Sequence, residues 1–358
     1  MRILFKTTYF DDIRLFQHGG QVFWYSVLAA GLLLAPLALG DFYVGELSYV
    51  FILAMAGVGL MLLIGFTGLV SLGHGAFMAI GAYTNTYLMT KGVPFLISFP
   101  AAGFVALLAG VAIAVPANRM TGIYLAIATL AFSQIVEQVI IRWESVTRGF
   151  QGMPVPAPEL FGHALSRPWE FYYFCLAMLA LVVLAAINIT RAPTGRAMVA
   201  IRDSEISAQS LGVNLVRYKT IAFALSATIT GLAGALLGHK MRFISPDAFN
   251  ILLSIQLLLM VVVGGLGSIH GAVLGALFVG GLPQFIALMR DYLPQHIART
   301  PGLEPGLFGI VMVAVVLFEP MGIYGRWLKI KAYFDYFPLY RRATFKRQRS
   351  YLKTERVR

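Results

Sequence analysis

The sequence predicts an all-α, polytopic integral membrane protein with about 8–10 transmembrane helices. Three observations carry that prediction. Of 358 residues, 58% are hydrophobic and only 12% charged, where a soluble domain carries about 25% charged residues. Mean hydropathy is +0.76. Apolar runs such as 171–189 have the length that crosses a bilayer core of roughly 30 Å at about 1.5 Å per residue. A soluble fold with this surface would aggregate.

The segments come in order along the chain: 22–39, 44–66, 76–89, 95–117, 122–141, 171–189, 220–238, 251–265, 272–288 and 305–317. The third, eighth and tenth are short, so eight full spans is the competing count. The lead 1–21 is too long for a signal-peptide n-region and contains Asp11 and Asp12. The expectation is therefore a cytosolic N-terminal segment followed by a retained first helix. Three regions result: 1–21, a transmembrane domain over 22–325, and a basic cytosolic tail over 326–358.

Net charge is +12, which raises the question of nucleic acid. The distribution argues against it, because the basic residues lie between apolar spans and in the tail rather than on one soluble face. With the N-terminus in the cytosol and ten alternating spans, 20 of the 28 Lys and Arg fall on the cytosolic side. That asymmetry predicts both termini in the cytosol of a multi-pass inner-membrane protein. It leaves a long outer loop at 142–170, read as an ordered cap, and a long inner loop at 190–219, read as helical. The tail holds eleven basic residues interleaved with aromatic side chains, a composition suited to the lipid surface of the cytosolic leaflet.

Chemistry-bearing clusters are few. Cys175 is the single cysteine and sits within an apolar span, so it reads as a small core hydrophobe. His18, His74, His163, His239, His270 and His296 show no i, i+4 pair and no clustered carboxylates, so no metal and no cofactor is expected. Lys6, Lys219 and Lys353 lack the spaced glycines and following Ser or Thr of a phosphate-binding loop. If ATP drives this protein, a partner hydrolyses it. Neither does the sequence offer a catalytic pair within the spans, so it reads as non-catalytic.

Within 190–219, Thr194 is placed to cap one short helix and Asp203 or Ser204 a second. Gly212 sits where a helix end takes a left-handed residue. Ala197, Ala200 and Ile201 suggest one small apolar face, and Ile206, Ala208 and Leu211 another. Such a pair suits docking into a partner's cleft. A weak internal repeat also appears: 68–76, containing Ser71, Gly73, His74 and Gly75, echoes 265–272, containing Ser268, His270 and Gly271. Gly-interrupted segments in matching positions point toward a transport pathway. The two are expected to lie near each other at helix breaks, with the histidines hydrogen-bonding at helix ends or lining a gate. Glu137, flanked by Gln134 and Gln138, places a carboxylate in an otherwise apolar span. It reads either as a structural or snorkelling group or as a partner for a substrate ammonium. The ladder Ala227, Gly231, Gly234, Ala235 and Gly238 reads as close helix packing.

The run Gly195-Arg196-Ala197 through Ala200-Ile201-Arg202-Asp203-Ser204-Glu205 to Leu211-Gly212-Val213-Asn214 resembles the cytosolic loop of the LivM family. These are permease subunits of branched-chain amino acid ABC importers. Phe243-Ile244-Ser245-Pro246, the stretches around 262–275 and 71–83, and Trp143 with Ser145-Val146-Thr147 match the same family in order and spacing. The resemblance implies an importer permease fold and four kinds of partner: a second homologous permease subunit, two ATP-binding subunits and a periplasmic solute-binding protein. It implies that Gly195, Arg196, Ala200, Arg202, Asp203, Glu205, Ala208 and Gly212 form the ATPase-coupling segment. Ser71, Gly73, His74, Gly75, Glu137, Ser268, His270 and Gly271 are the expected pathway residues. Departures are Arg148, where the family pattern has a small glycine, and Glu319-Pro320 in place of Arg-Pro. Urea, short amides and aromatic acids are alternative solutes within related families. A secondary transporter driven by an ion gradient is the rival from another class, although Glu137 is the one coupling acid it would find within the spans.

Overall fold

The computed structural model describes residues 19–160, 162–290, 303–319 and 321–336. All ten apolar segments are helical: α1 (Gly19–Ala38), α2 (Asp41–Thr67), α3 (His74–Thr90), α4 (Phe95–Ala117), α5 (Ile123–Arg142), α7 (Pro168–Arg191), α10 (Leu215–Met241), α11 (Ile251–Gly264), α12 (Ile269–Arg290) and α13 (Leu303–Phe318). Between them lie three short helices, α6 (Glu144–Thr147), α8 (Pro193–Asp203) and α9 (Glu205–Ser210), and α14 (Gly322–Tyr336) follows α13. Length qualifies the count. Among the described residues seven helices are long and apolar enough to cross a membrane, or eight if α13 and α14, bent by 47°, form one span. The count thus falls at the lower expectation, near eight rather than ten: Val22–Ala38 is a shorter apolar helix and α3 has 17 residues.

The bundle is organised around α2, which is apolar all round and almost wholly buried. Such a helix belongs at the centre. Its neighbours α10, α12 and α7 surround it, and α3 and α4 pack on α10. Glycine sets how closely these helices approach. A Cβ at Gly81 of α3 would overlap the Gly231 carbonyl of α10, and one at Gly234 would overlap the backbone of Met78. The same crossing holds α11 against α12 through Gly264, Gly271 and Gly275. Small residues let membrane helices gain backbone-to-backbone dispersion that bulky ones prevent. The 227–238 ladder serves this packing, and Cys175 is buried in the same core.

Two ends of the bundle can be told apart. At one, α8 and α9 lie beneath the C-terminus of α2, since Arg202 reaches Gly65. At the other, the 142–170 segment folds over the helices. There β1 (Met153–Pro154) pairs antiparallel with β4 (Phe243–Ile244), matching Met153 to Ile244. β2 (Glu159–Leu160) pairs with β3 (His163–Ala164). A buried polar chain ties this cap to the bundle: Ser98 Oγ donates to Asn85 Oδ1 at 2.8 Å, Asn85 Nδ2 lies 2.7 Å from His239 Nε2, and His239 Nδ1 donates to the Pro156 carbonyl at 3.1 Å. Because Pro156 O only accepts, Nδ1 carries the proton and Nε2 accepts from Asn85. The cap is ordered.

α1 runs between the two ends. Tyr25 Oη sits 2.8 Å from His270 Nε2 near the α8 end, and the Leu32 carbonyl accepts from Tyr172 at the start of α7. α14 begins beside Gly265, so the last described helix starts at the α8 end as well. It runs unbroken across position 325, where a boundary was expected. The expected tail over 337–358 lies outside the described residues.

Candidate functional site

The 190–219 segment folds as two helices, but its caps differ from expectation. α8 opens on Ala192 with Pro193 at its first position, a placement that suits proline's fixed φ. Thr194 therefore lies inside the first turn rather than capping it. Gly195 is needed for contact. A Cβ there would overlap Thr190 of the preceding helix, so only glycine permits the sharp turn from α7 into α8. Ala197, Met198 and Ile201 face the bundle and are buried, Ala200 is half-buried and Arg196 is exposed. Ser204 caps α9, accepting from the Ser207 amide at 3.2 Å. Gly212 takes φ 84° after the helix, while the Val213 amide donates back to the Ala208 carbonyl at 3.0 Å. That is the Schellman arrangement, and it fixes where α9 stops.

α9 does not have the single face that the sequence suggested. Ala208 is turned inward and only 1% exposed, whereas Ile206 and Leu211 are 83% and 81% exposed. The turn begun at Ser204 rotates the helix so that its smallest apolar residue meets the bundle and its two largest project away. Glu205 is also turned toward the protein. Its carboxylate lies 2.8 Å from Lys219 Nζ, and the Lys219 side chain is 3% exposed. Sequence reasoning placed Lys219 among loop charges. A lysine one residue ahead of an apolar span gives no local sign of burial.

Arg202 makes the second anchor. Nη1 donates to the Gly65 carbonyl at 3.0 Å, and Nε and Nη2 hold Asp203 Oδ1 at 3.0 and 2.9 Å. Gly68, at φ 72°, closes on the Arg202 stem, where a Cβ would stand 3.2 Å from Cγ. A Cβ at Gly267 would stand 3.3 Å from Nη1. One guanidinium therefore sits between the break after α2 and the break between α11 and α12.

The two echoing motifs are both at helix breaks, yet they meet different neighbours. Gly267 of the second break touches the end of α2, donating its amide to Met61 Sδ at 3.3 Å. The first motif enters the bundle more deeply. His74 Nε2 lies 2.7 Å from Ser226 Oγ, Ser226 Oγ donates to the Gly59 carbonyl at 2.7 Å, and His74 Nδ1 lies 3.2 Å from Ser71 Oγ. Ser226 has one proton and gives it to Gly59, so Nε2 carries the imidazole proton and Nδ1 accepts from Ser71. The Gly75 amide donates to Ser254 Oγ at 2.9 Å, near the start of α11, and Gly73 packs on Thr129 of α5. Ser71, Gly73, His74 and Gly75 are all buried. His270 is exposed and joins α1 to α14, bonding Tyr25 and stacking on Tyr324 with ring centroids 5.9 Å apart. Ser268 Oγ accepts from the Gly271 amide at the start of α12. The sequence repeat thus supports two unlike structures. Ser226 and Gly59 were not foreseen, because only the fold sets them beside His74.

Glu137 is half-buried on α5, with Gln134 Nε2 3.4 Å from its Oε2. Gln134 and Gln138 are exposed and line a shallow concavity with Arg142 and Trp143. Arg148 adopts φ 60° at the end of α6, which accounts for the small glycine of the family pattern there. Glu319 accepts from Arg326 across the bend between α13 and α14.

Residues 42–317 match the family model described as branched-chain amino acid transport system / permease component. The chain belongs to this family. It is 35% identical over 292 residues to the high-affinity branched-chain amino acid transport system permease protein LivM of Salmonella typhimurium, covering 75% of this chain and 66% of that protein. LivM of Escherichia coli K12 is 34% identical over 309 residues, 79% of this chain and 70% of its own length. The permease protein LivH of Salmonella typhimurium is 25% identical over 299 residues, 76% of this chain and 91% of LivH. The chain thus spans about two thirds of the length of the LivM relatives. No solved structure matches it. As a member of this permease family with several membrane-spanning helices, it is a multi-pass membrane protein.

Proposed function

We propose that this chain is the transmembrane permease subunit of an ATP-binding-cassette importer, providing the path for branched-chain or related amino acids across a bacterial inner membrane. In this reading a second, homologous permease completes the bundle, two ATP-binding subunits hydrolyse ATP, and a periplasmic solute-binding protein delivers the solute. Both termini and the α8–α9 segment face the cytosol, where basic residues concentrate.

The observation that carries the reading is the construction of α9. Ile206 and Leu211 project from a two-helix tip that Arg202 and Glu205 anchor to the bundle. Exposed apolar side chains on a rigid, polar-anchored support are what a docking surface needs. Force applied at that tip reaches both helix breaks through Arg202. The motifs around Ser71–Gly75 and Ser268–Gly271 then act as the hinges of an inward-to-outward tilt, with Gly68, Gly265 and Gly267 at positive φ absorbing the change. Gln134, Glu137 and Gln138 are polar groups on a spanning helix. Their cost in lipid places that face of α5 against the partner permease and the path.

The test is uptake by the reconstituted complex. ATP-dependent leucine uptake that ionophores leave unchanged is the expected result, and Arg202→Ala should abolish most of it while the complex still assembles. Uptake that needs an ion gradient instead of ATP would assign the chain to secondary transport. ATP-driven uptake of urea or short amides, without leucine, would keep the mechanism and change the solute.

A further inference from the structure

A cavity of about 570 Å³ opens at the end of the bundle opposite α8 and α9. Its walls are the first turns of α2, the cap segment, the start of α7 and the end of α10. That volume falls within the range of small-molecule sites, about 300–1,000 Å³. Its charged lining has both signs: Asp41 and Glu46 are acidic, and Lys240, Arg242 and Arg167 are basic. Val155 and Phe171 contribute an apolar wall to the same cavity.

Lys240 is the informative group. It is half-buried, and among the described residues its ammonium makes no hydrogen bond or ion pair. Surface lysines normally extend into water. This one folds over α2, and a Cβ at position 45 would stand 2.8 Å from its Nζ. Glycine at 45 leaves that ammonium its place. One residue further along, Glu46 spends one carboxylate oxygen on Gln284 Nε2 at 3.1 Å. The remaining acceptor capacity of that carboxylate, with Asp41 one turn earlier, faces the same cavity.

We propose that this cavity is an entry site for the headgroup of an α-amino acid. Lys240 takes the carboxylate, Glu46 with Asp41 takes the ammonium, and the Val155–Phe171 wall takes an apolar side chain. A simple anion would meet two carboxylates there, and a simple cation would meet three basic groups. A neutral amide would leave the Lys240 ammonium without a counter-charge. A zwitterion satisfies both sides. This inference rests on the importer reading and narrows its solute.

The test uses the intact complex in nanodiscs, without the solute-binding protein, and radiolabelled leucine. Saturable binding in the millimolar range is expected. Leucinamide, which lacks the carboxylate, and 4-methylpentanoate, which lacks the ammonium, should compete poorly. Lys240→Gln and Glu46→Gln should each weaken binding roughly tenfold or more, the scale of a lost charge-assisted hydrogen bond. Gly45→Ala should weaken it with unchanged thermal stability, because only the flexible end of Lys240 has to move. Absence of saturable leucine binding, equal competition by the two analogues, or unaltered binding in Lys240→Gln and Gly45→Ala would overturn the site. ATP-driven uptake measured on the same preparations separates the two readings. A wild-type complex that imports leucine while these variants bind it normally removes only the site. A complex that imports no amino acid removes the solute on which the site rests, and one whose uptake does not depend on ATP removes the importer reading as well.

Discussion

Lys219 Nζ lies 2.8 Å from the Glu205 carboxylate, although the lysine side chain is 3% exposed and its partner 35%. The pair joins the first turn of α9 to the first turns of α10, so Glu205 positions the tip from beneath. Removing one partner strands a buried charge, which costs about 3–5 kcal/mol in fully buried pairs. Glu205 is partly solvated, so Glu205→Gln should cost about 2 kcal/mol. Thermal unfolding of the purified complex measures it. The double variant Glu205→Gln/Lys219→Met should recover most of the loss, and a double variant less stable than the single one would show that the pair is not coupled.

Ile206 and Leu211 contribute little to the stability of the chain because they are exposed. Replacing both with Ser should leave the melting temperature within about one degree, the effect of an ordinary surface change of roughly 0.5 kcal/mol or less. Co-purification of the ATP-binding subunits should nevertheless fall strongly. Ala208→Arg behaves differently. Ala208 is 1% exposed, so that variant should destabilise α9 itself and lose docking through misfolding of the tip. Protease sensitivity of the 203–213 segment distinguishes the two outcomes.

Gly81 and Gly234 occupy a crossing where α3 and α10 touch backbone to backbone. Gly81→Val and Gly234→Val force those helices apart, with a penalty of about 1–3 kcal/mol or more for overpacking. Both should lower the yield of monodisperse protein in detergent. Gly281→Val is a fitting control, since a Cβ there meets nothing within 4 Å, and its yield should match wild type.

Arg148 holds φ 60°, a left-handed conformation that favours glycine. Arg148→Gly should therefore stabilise the cap by about 0.5–1 kcal/mol, the left-handed strain less glycine's extra unfolded entropy. A rise in melting temperature checks this. A fall would mean that the arginine side chain contributes more than the backbone strain removes.

The helices were legible because each is written locally. An apolar run of spanning length, a glycine at φ 84° after α9 and a serine before it are properties of neighbouring residues. The two-helix segment over 190–219 was visible for the same reason, down to the left-handed Gly212. Its orientation was not. Ile206, Ala208 and Leu211 have one composition and two fates, because rotation about a six-residue helix is set by what lies underneath.

The amino-acid sequence by itself determined a membrane-embedded, all-α permease, the order of its apolar helices and the family to which it belongs. Hydropathy, helix capping and motif spacing are short-range quantities and survive in one dimension. Tertiary structure alone decided that Arg202 sits between two helix breaks, that Glu205 reaches a buried Lys219, and that His74 and His270 serve unlike purposes in echoing motifs. Each of these joins residues far apart in the chain. A buried polar group is stable only beside a partner that desolvation demands, and the identity of that partner is set by how the helices cross.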